Sequence, residues 1–433
     1  MKLARRKFLG SSAAAVVAAG TLVRGDVFGA NDRIRLCVVG LNGRGNSHIR
    51  EFSKRRGCEV VALCDVDSDV LDLHARAVGK GDRKKPKLYR DIRDVLADDS
   101  IDAISIATPN HWHSLMAIWG CQARKDVFVE KPLSHSVWEG RQLVAAAERT
   151  GQVVVHGTQS RSNPTWIRDI RLLQEGLIGP MHMAKGFTYK TGNRHAIGYG
   201  KPAKPPKNLD WKLWQGPAQE RDYLAKSNGS GLYVHYNWHW NWDYGNGESA
   251  NQGVHQMDLA VWGLNRGLPV KVSSVGGRYV WDDDGETPNT QISTYTYADG
   301  SILEFEVRNL GSYEEAGKVT GNHFFCADGY YVEGRGFFDY KNKPIKVNEP
   351  KPESDGVWEN FLEAVRSRKA SDIHGSALDG HLSCVTCHIG NIAYRLGRAL
   401  EFNPKKERFV NDDDANAMLR RNYREGFEVP DLA

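Results

Sequence analysis

Cysteine is scarce in this chain: Cys37, Cys58, Cys64, Cys121, Cys326, Cys384 and Cys387 are spread over 433 residues. An odd number at wide spacing excludes a disulfide-stapled scaffold. Long apolar runs are missing after residue 30, which excludes a helical membrane protein. No internal repeat is visible. With 40% hydrophobic and 26% charged residues, the composition is globular, neither collagen-like nor globally disordered. A charge surplus is missing too. The formal net charge is +5, but Lys2, Arg5, Arg6, Lys7 and Arg24, against Asp26 alone, lie in the first thirty residues. Taking these from the 58 basic and 53 acidic residues leaves 53 and 52. A nucleic-acid footprint needs a basic surplus in the folded body, and there is none.

The first thirty residues have a charged start, a short Ala/Gly/Ser-rich apolar stretch from Phe8 to Val23, and small residues up to Ala30. This is a secretory signal rather than a membrane span. Arg5-Arg6 before Lys7-Phe8-Leu9 has the form of a twin-arginine signal. The expectation is export by the Tat pathway to the periplasm or another extracytoplasmic space, with no membrane span once the signal is removed.

Strands and helices then alternate. Ile34–Val39 is an apolar, β-branched run, as in a buried parallel strand. Gly40, Asn42 and Gly45 follow at the first, third and sixth positions of a dinucleotide-binding loop, with an extra Gly43 and with Arg44. Asn42 departs from glycine, although Asn tolerates left-handed backbone. A short helix over 46–56 would turn its N-terminus to a pyrophosphate. Glu59–Cys64 reads as the second strand and ends in Asp65, where an acid accepts both ribose hydroxyls and repels a 2′-phosphate. The cofactor expected is NAD rather than NADP. Further strands at 101–107, 127–129 and 153–155 imply right-handed βαβ units and a parallel sheet. Ligands sit at the carboxyl ends of such strands, which places Thr108, Pro109, Asn110, Glu130 and Lys131 on the ligand rim. The basic stretch at 79–87 reads as a solvated loop.

In the second half, 274–280, 290–297 and 302–307 alternate like half-exposed strands, the last two joined by a hairpin signal at Ala298-Asp299-Gly300. Cys384, Cys387 and His388 have c-type haem spacing. They lie in a stretch, 381–400, with helical apolar periodicity, and so read as helix residues. Tyr236, Trp238, Trp240, Trp242 and Tyr244 alternate with Asn237, His239, Asn241 and Asp243. If extended, the segment puts its aromatics on one face and its polar groups on the other. Core and sugar-binding readings stand side by side, with Tyr236, Trp238 and His239 as substrate contacts. A metal on His235, His239 and Asp243 is disfavoured, since four residues of strand spread ligands about 13 Å. Lys185, Tyr189 and Arg194 are further substrate candidates.

The glycine loop, Thr108-Pro109-Asn110 with His113, Glu130-Lys131-Pro132 and the block Asn251-Gln-Gly-Val-His255-Gln-Met-Asp258 together resemble the glucose–fructose oxidoreductase/inositol dehydrogenase (Gfo/Idh/MocA) family over the whole chain after the leader. The resemblance implies an α/β protein: a Rossmann domain with a parallel sheet over 31–155, then an α/β domain over 156–433 with a large, mostly antiparallel sheet. That sheet's open face would make a homo-oligomer, dimer or tetramer. Gly40, Asn42, Gly43, Arg44, Gly45, Asp65, Thr108, Pro109, Asn110, His113, Glu130 and Lys131 would bind the cofactor. His255 would be the base, Lys131 a donor to the same oxygen, and Asp258 a holder of nearby groups. The family's Asp stands here as Asn251, which can orient His255 but cannot stabilise an imidazolium by charge. If one helix carries Asn251, His255 and Asp258, all three share a face. The activity implied is oxidation of a secondary hydroxyl of a sugar, glycoside or cyclitol. Two rivals remain: a glycosidase or lyase with bound NAD that oxidises, eliminates and reduces again, and a non-catalytic sugar-binding protein.

Overall fold

The computed structural model describes residues 33–79, 85–192, 194–311 and 313–433. The leader, with its expected twin-arginine signal, and most of the basic stretch at 79–87 lie outside them. Six strands, β1 (Ile34–Val39), β2 (Cys58–Cys64), β3 (Lys87–Tyr89), β4 (Ala103–Ile106), β5 (Asp126–Val129) and β6 (Val154–His156), form a parallel sheet in the order β3-β2-β1-β4-β5-β6. The β4 and β5 strands are buried at every position, which is why apart from Ser105 and Asp126 they are apolar. Five helices accompany them: α1 (Arg44–Phe52), α2 (Ser68–Val78), α3 (Ile92–Leu96), α4 (Asn110–Gln122) and α5 (Val137–Thr150). Side chains of Asp67, Asp91 and Ser136 cap α2, α3 and α5. No side chain caps α1 or α4. Strand order reverses between β1 and β4, so the loops leading into α1 and α4 lie side by side at the crevice where such sheets bind ligands.

The first domain does not complete its own core. The helix Val357–Ser367 lays Trp358, Phe361 and Leu362 against Leu36, Phe52 and Phe128, and Trp358 stacks on Phe128 with ring centroids 4.8 Å apart.

The second domain is built on a ten-stranded sheet. Its pairings are antiparallel except where Ile302–Arg308 runs parallel to Met181–Thr188. The helices Gly253–Leu264 and Ala377–Leu396 cover one face, burying Leu303, Phe305, Val307 and Phe324. The longer helix starts at a Ser376 capping box and also packs on α5, tying the domains together. Cys384, Cys387 and His388 are buried within it. It stops at Gly397, and Leu400, grouped with the helix by periodicity, opens the strand Leu400–Asn403 instead. Trp211, Trp214, Tyr223, Tyr233, Trp240 and Tyr244 form a separate aromatic cluster. The C-terminal tail returns to the body, Arg421 donating to Glu139 and to the His111 carbonyl, both at 2.7 Å. Among the described residues no helix is long and apolar enough to cross a membrane.

Candidate active site and cofactor cleft

A cleft of about 490 Å³ opens at the carboxyl edge of the parallel sheet. One side is the glycine loop. A Cβ on Gly45 would lie 1.8 Å from the Gly40 carbonyl oxygen, and one on Gly40, at φ +78°, would lie 2.8 Å from the Thr108 nitrogen. The close turn therefore excludes any side chain at either position. The left-handed backbone expected of Asn42 belongs instead to Gly43, at φ 55°, immediately before α1. Gly43 has open space above it, and no side chain caps the first turn of α1 that follows, the arrangement of an anion cradle.

Asp65 stands at the end of β2, its carboxylate accepting from the N–H groups of Leu41 (2.8 Å) and Asp67 (3.0 Å). Burial raises its pKa, partly offset by these bonds. Beside it, Asp67 accepts from Asn208 Nδ2 at 2.8 Å and lies 3.2 Å from His235 Nε2. Both partners come from the second domain, and no sequence motif marked Asp67 or Asn208. Leu209, Leu213 and Trp214 complete an apolar wall.

Thr108, Pro109 and Asn110 form the facing rim. His113 has its ring nitrogens 2.7 Å from the carbonyls of Thr108 and Pro132, so it holds this rim to the loop after β5. Glu130 is 3% exposed and accepts from Arg44 Nε at 2.6 Å, with His48 Nε2 at 3.1 Å. Burial works against its charge, but Arg44 and His48 outweigh it and hold the carboxyl well below the usual range. Glu130 is thus a fixed anion under the loop that carries Arg44.

Lys131 follows at the cleft wall. Its Nζ donates to the backbone carbonyl of Asn251 at 2.8 Å and to Asn251 Oδ1 at 3.3 Å. Burial depresses it to about 8, against the opposing pull of Glu130 and Glu248. The helix expected through Asn251, His255 and Asp258 is broken: Gly247–Asn251 ends before Gly253–Leu264 begins. Of the three, only Asn251 lines the cleft. Asn251 does not orient His255; it binds Lys131 and donates from Nδ2 to Glu248 at 3.1 Å. His255 is half-buried and near enough to Lys131 to feel its charge; burial and then that charge depress it to about 3. Asp258 is fully buried and taken up by Arg161 (3.0 Å), Ser383 (2.7 Å) and Thr158 (3.2 Å). It anchors the second domain's helices and does not line the cleft.

The aromatic segment is not extended. Asn237–Trp240 forms a 3₁₀ turn, which breaks the period-two pattern and divides the residues between core and cleft. Trp240 and Tyr244 are core, while His235, Tyr236, Trp238 and His239 line the cleft. Trp238 stacks on His239 with centroids 3.6 Å apart. His235 and Asp243 turn to separate partners, Asp67 and Arg221. Lys185, expected at the substrate, is elsewhere: on the sheet strand Met181–Thr188 it pairs with Glu315 at 3.0 Å and Glu304 at 3.5 Å. Arg194 does reach the site's surroundings, by a bidentate bond to Glu248.

A parallel sheet with a glycine loop, an anion cradle and a ribose-facing acid at its switch point is a dinucleotide-binding unit, and a titrating lysine at the same cleft suits oxidoreductase chemistry. The chain belongs to the Gfo/Idh/MocA oxidoreductase family. Residues 34–158 match its NAD-binding Rossmann fold and 165–429 its C-terminal alpha/beta domain. A glycosyl hydrolase family 109 protein of Shewanella pealeana is 34% identical over 208 residues, 42% of this chain and 45% of that protein. An alpha-N-acetylgalactosaminidase of Shewanella oneidensis is 31% identical over 175 residues, 40% of this chain and 38% of that protein. These matches thus span under half the length of the curated relatives. The WlbA dehydrogenase of Bordetella pertussis, solved with NADH and UDP-GlcNAcA, shares the fold at TM-score 0.63 and 18% identity, over 86% of this chain and 99% of that one. The cofactor is NAD, and Gly40, Gly43, Gly45, Asp65 and the first turn of α1 are the groups that would hold it.

Proposed function

We propose that this protein oxidises a secondary hydroxyl of a sugar, glycoside or cyclitol with bound NAD. The observation that carries the reading is Lys131, poised near neutrality at the cleft wall, in one cleft with the glycine loop and with Tyr236, Trp238 and His239. Bound NAD supplies the hydride acceptor. Lys131 takes up the hydroxyl proton as the carbinol is oxidised, because a group with pKa about 8 exchanges protons readily at neutral pH. His255, held near 3, stays neutral and is a poor proton acceptor. In this reading the base is Lys131, where the resemblance implies His255. The flat rings of Tyr236 and Trp238 offer surfaces for the apolar faces of a sugar ring.

A second reading has a specific support. Asn208 and His235 reach from the second domain to Asp67 at the ribose end of the cleft, an arrangement suited to retaining the cofactor. A retained cofactor suits a closed cycle, in which oxidation acidifies a neighbouring C–H, the glycosidic bond is eliminated, and the hydride is returned. The names of the matched relatives point the same way. Purified protein given a panel of sugars and glycosides separates the cases. NADH absorbance without aglycone release identifies net oxidation. Aglycone release without net NADH identifies the cycle. Neither, with sugar binding retained, leaves a binding protein and overturns both. Export through the twin-arginine signal belongs to the same reading, and changing Arg5 and Arg6 to Lys should hold the precursor in the cytoplasm. So does a homo-oligomer, checked by sedimentation velocity.

A further inference from the structure

Glu248 belongs to no motif, yet its side chain is 0% exposed and bonded to Asn251, which lines the cleft. Arg194 grips it with Nε at 3.1 Å from both oxygens and Nη2 at 2.8 Å from Oε1. Its Oε2 accepts from Asn251 Nδ2 at 3.1 Å. That bond leaves one orientation for the amide: nitrogen toward the carboxylate, and Oδ1 toward Lys131 Nζ, beside the Asn251 carbonyl that Lys131 also meets. We propose that Glu248 is a positioning residue for Lys131, acting through Asn251, with Arg194 fixing Glu248 in turn. The proposal rests on Lys131 being the reacting amine of the proposed function.

The physical reason lies in distance. A carboxylate in contact with a lysine strongly favours the ammonium form. Here the family's acid at 251 is an amide and the charge sits one turn earlier, at 248. Lys131 keeps an oriented acceptor but feels a weaker field, and so stays close to neutrality. A buried ion pair such as Arg194–Glu248 is a poor source of stability, since desolvation offsets its attraction, which favours a positioning role. The charges around Lys131 are few. Arg44 and Glu130 face it from the first domain and Arg194 and Glu248 from the second. The imidazoles of His113, His239 and His255 are all depressed by burial.

The test reads the Lys131 amine directly, by competitive acetic anhydride labelling of the full chain across pH with peptide mass spectrometry. Glu248→Gln removes the anion and leaves Arg194 unopposed, so the proton affinity of Lys131 should fall at least about tenfold. Arg194→Met leaves Glu248 unopposed and should raise it. Opposite shifts support the proposal, because loss of packing alone has no reason to change sign between the two. Equal-sign shifts, or none, in folded variants overturn it. Asn251→Leu tests the route through the amide, since it keeps the ion pair and removes only the amide, and it also decides should either charge variant fail to fold. A fall of about threefold then supports the proposal and an unchanged affinity overturns it. Labelling needs no turnover, so a wild-type protein inert toward every sugar would sink the functional reading while leaving this one standing.

Discussion

The two halves of the cleft are made differently. The cofactor half is a backbone device, in which β1, the glycine loop and α1 form one continuous run of chain. Its decisive contacts are main-chain ones, such as the space beneath Gly45 and the N–H groups bound by Asp65. The substrate half is an electrostatic device assembled from distant segments: Lys131 after β5, Arg194, the turn at 236–239, and Glu248 with Asn251 on a five-residue helix. In the first half, local geometry decides what fits. In the second, a few buried charges and amides set one another's state, and removing one alters the rest.

The largest effect should therefore follow from a single side chain in the substrate half. Lys131→Ala should lower turnover by about 10²–10⁴-fold, with NAD affinity by calorimetry nearly unchanged. A comparable loss of NAD affinity would blur the division between the halves. The counterpart in the cofactor half adds one methyl group. The Cβ of Gly45→Ala meets backbone at 1.8 Å, a clash no rotamer relieves, and strain of about 1–3 kcal/mol should weaken NAD binding roughly 10- to 100-fold. Unchanged affinity would mean the loop is softer than the comparison holds.

The pH profile sharpens the contrast further. Burial depresses Lys131 to about 8, so its amine is mostly protonated below that pH and mostly free above it. If the free amine takes the proton, turnover rises with pH through a single ionisation near 8. His255, held at about 3 by burial and the Lys131 charge, is already neutral across pH 5 to 9 and adds no limb. A limb near 6.5, the value of an unperturbed imidazole, would return the base role to His255.

These differences also govern what sequence could disclose. The parallel sheet was legible because its central strands are buried on both faces, so largely apolar runs such as Ile34–Val39 mark them directly, whereas the exposed edge strand β3 left no such mark. The glycine loop was legible for a related reason, since a requirement for no side chain is written as glycine. Asn42 misled only in detail, because the left-handed residue is its neighbour Gly43. The substrate half was readable only in part. Lys131 and Asn251 stood in recognised blocks, but the break after Asn251 reassigned its partner from His255 to Lys131 and Glu248. Glu248 itself carries no local signal: a buried acid beside Asn and Ser looks like any polar helix residue until Arg194 arrives from more than fifty positions away. The alternating aromatics promised a strand, and the 3₁₀ turn overrode them because Trp240 and Tyr244 join a core formed with Trp211 and Trp214. Lys185 shows the converse: a plausible residue type carried by its sheet strand to acidic partners away from the cleft.

Asp65 tests whether cofactor choice lies within the backbone device. Its carboxylate at the ribose end should disfavour a 2′-phosphate, giving at least about tenfold tighter binding of NAD than NADP, and Asp65→Ala should narrow that gap. Equal affinities in the parent protein would remove Asp65 from the choice of cofactor.

The smallest effect is expected where the halves touch. His235 crosses from the second domain to within 3.2 Å of Asp67, and its side chain is 38% exposed. A partly solvated contact of this kind contributes about 0.2–1 kcal/mol. Asp67 would also keep its 2.8 Å bond from Asn208. His235→Ala should therefore speed NAD release only about two- to fivefold, measured by displacement of bound NADH in a stopped-flow instrument, with turnover on a saturating substrate changed no more than that. An acceleration of a hundredfold or more would break the comparison. It would mean that closure by the second domain, not the glycine loop and Asp65, holds the cofactor in place, and it would strengthen the closed redox cycle over net oxidation, because a cofactor locked in by the sugar-binding half is poorly placed to exchange between turnovers.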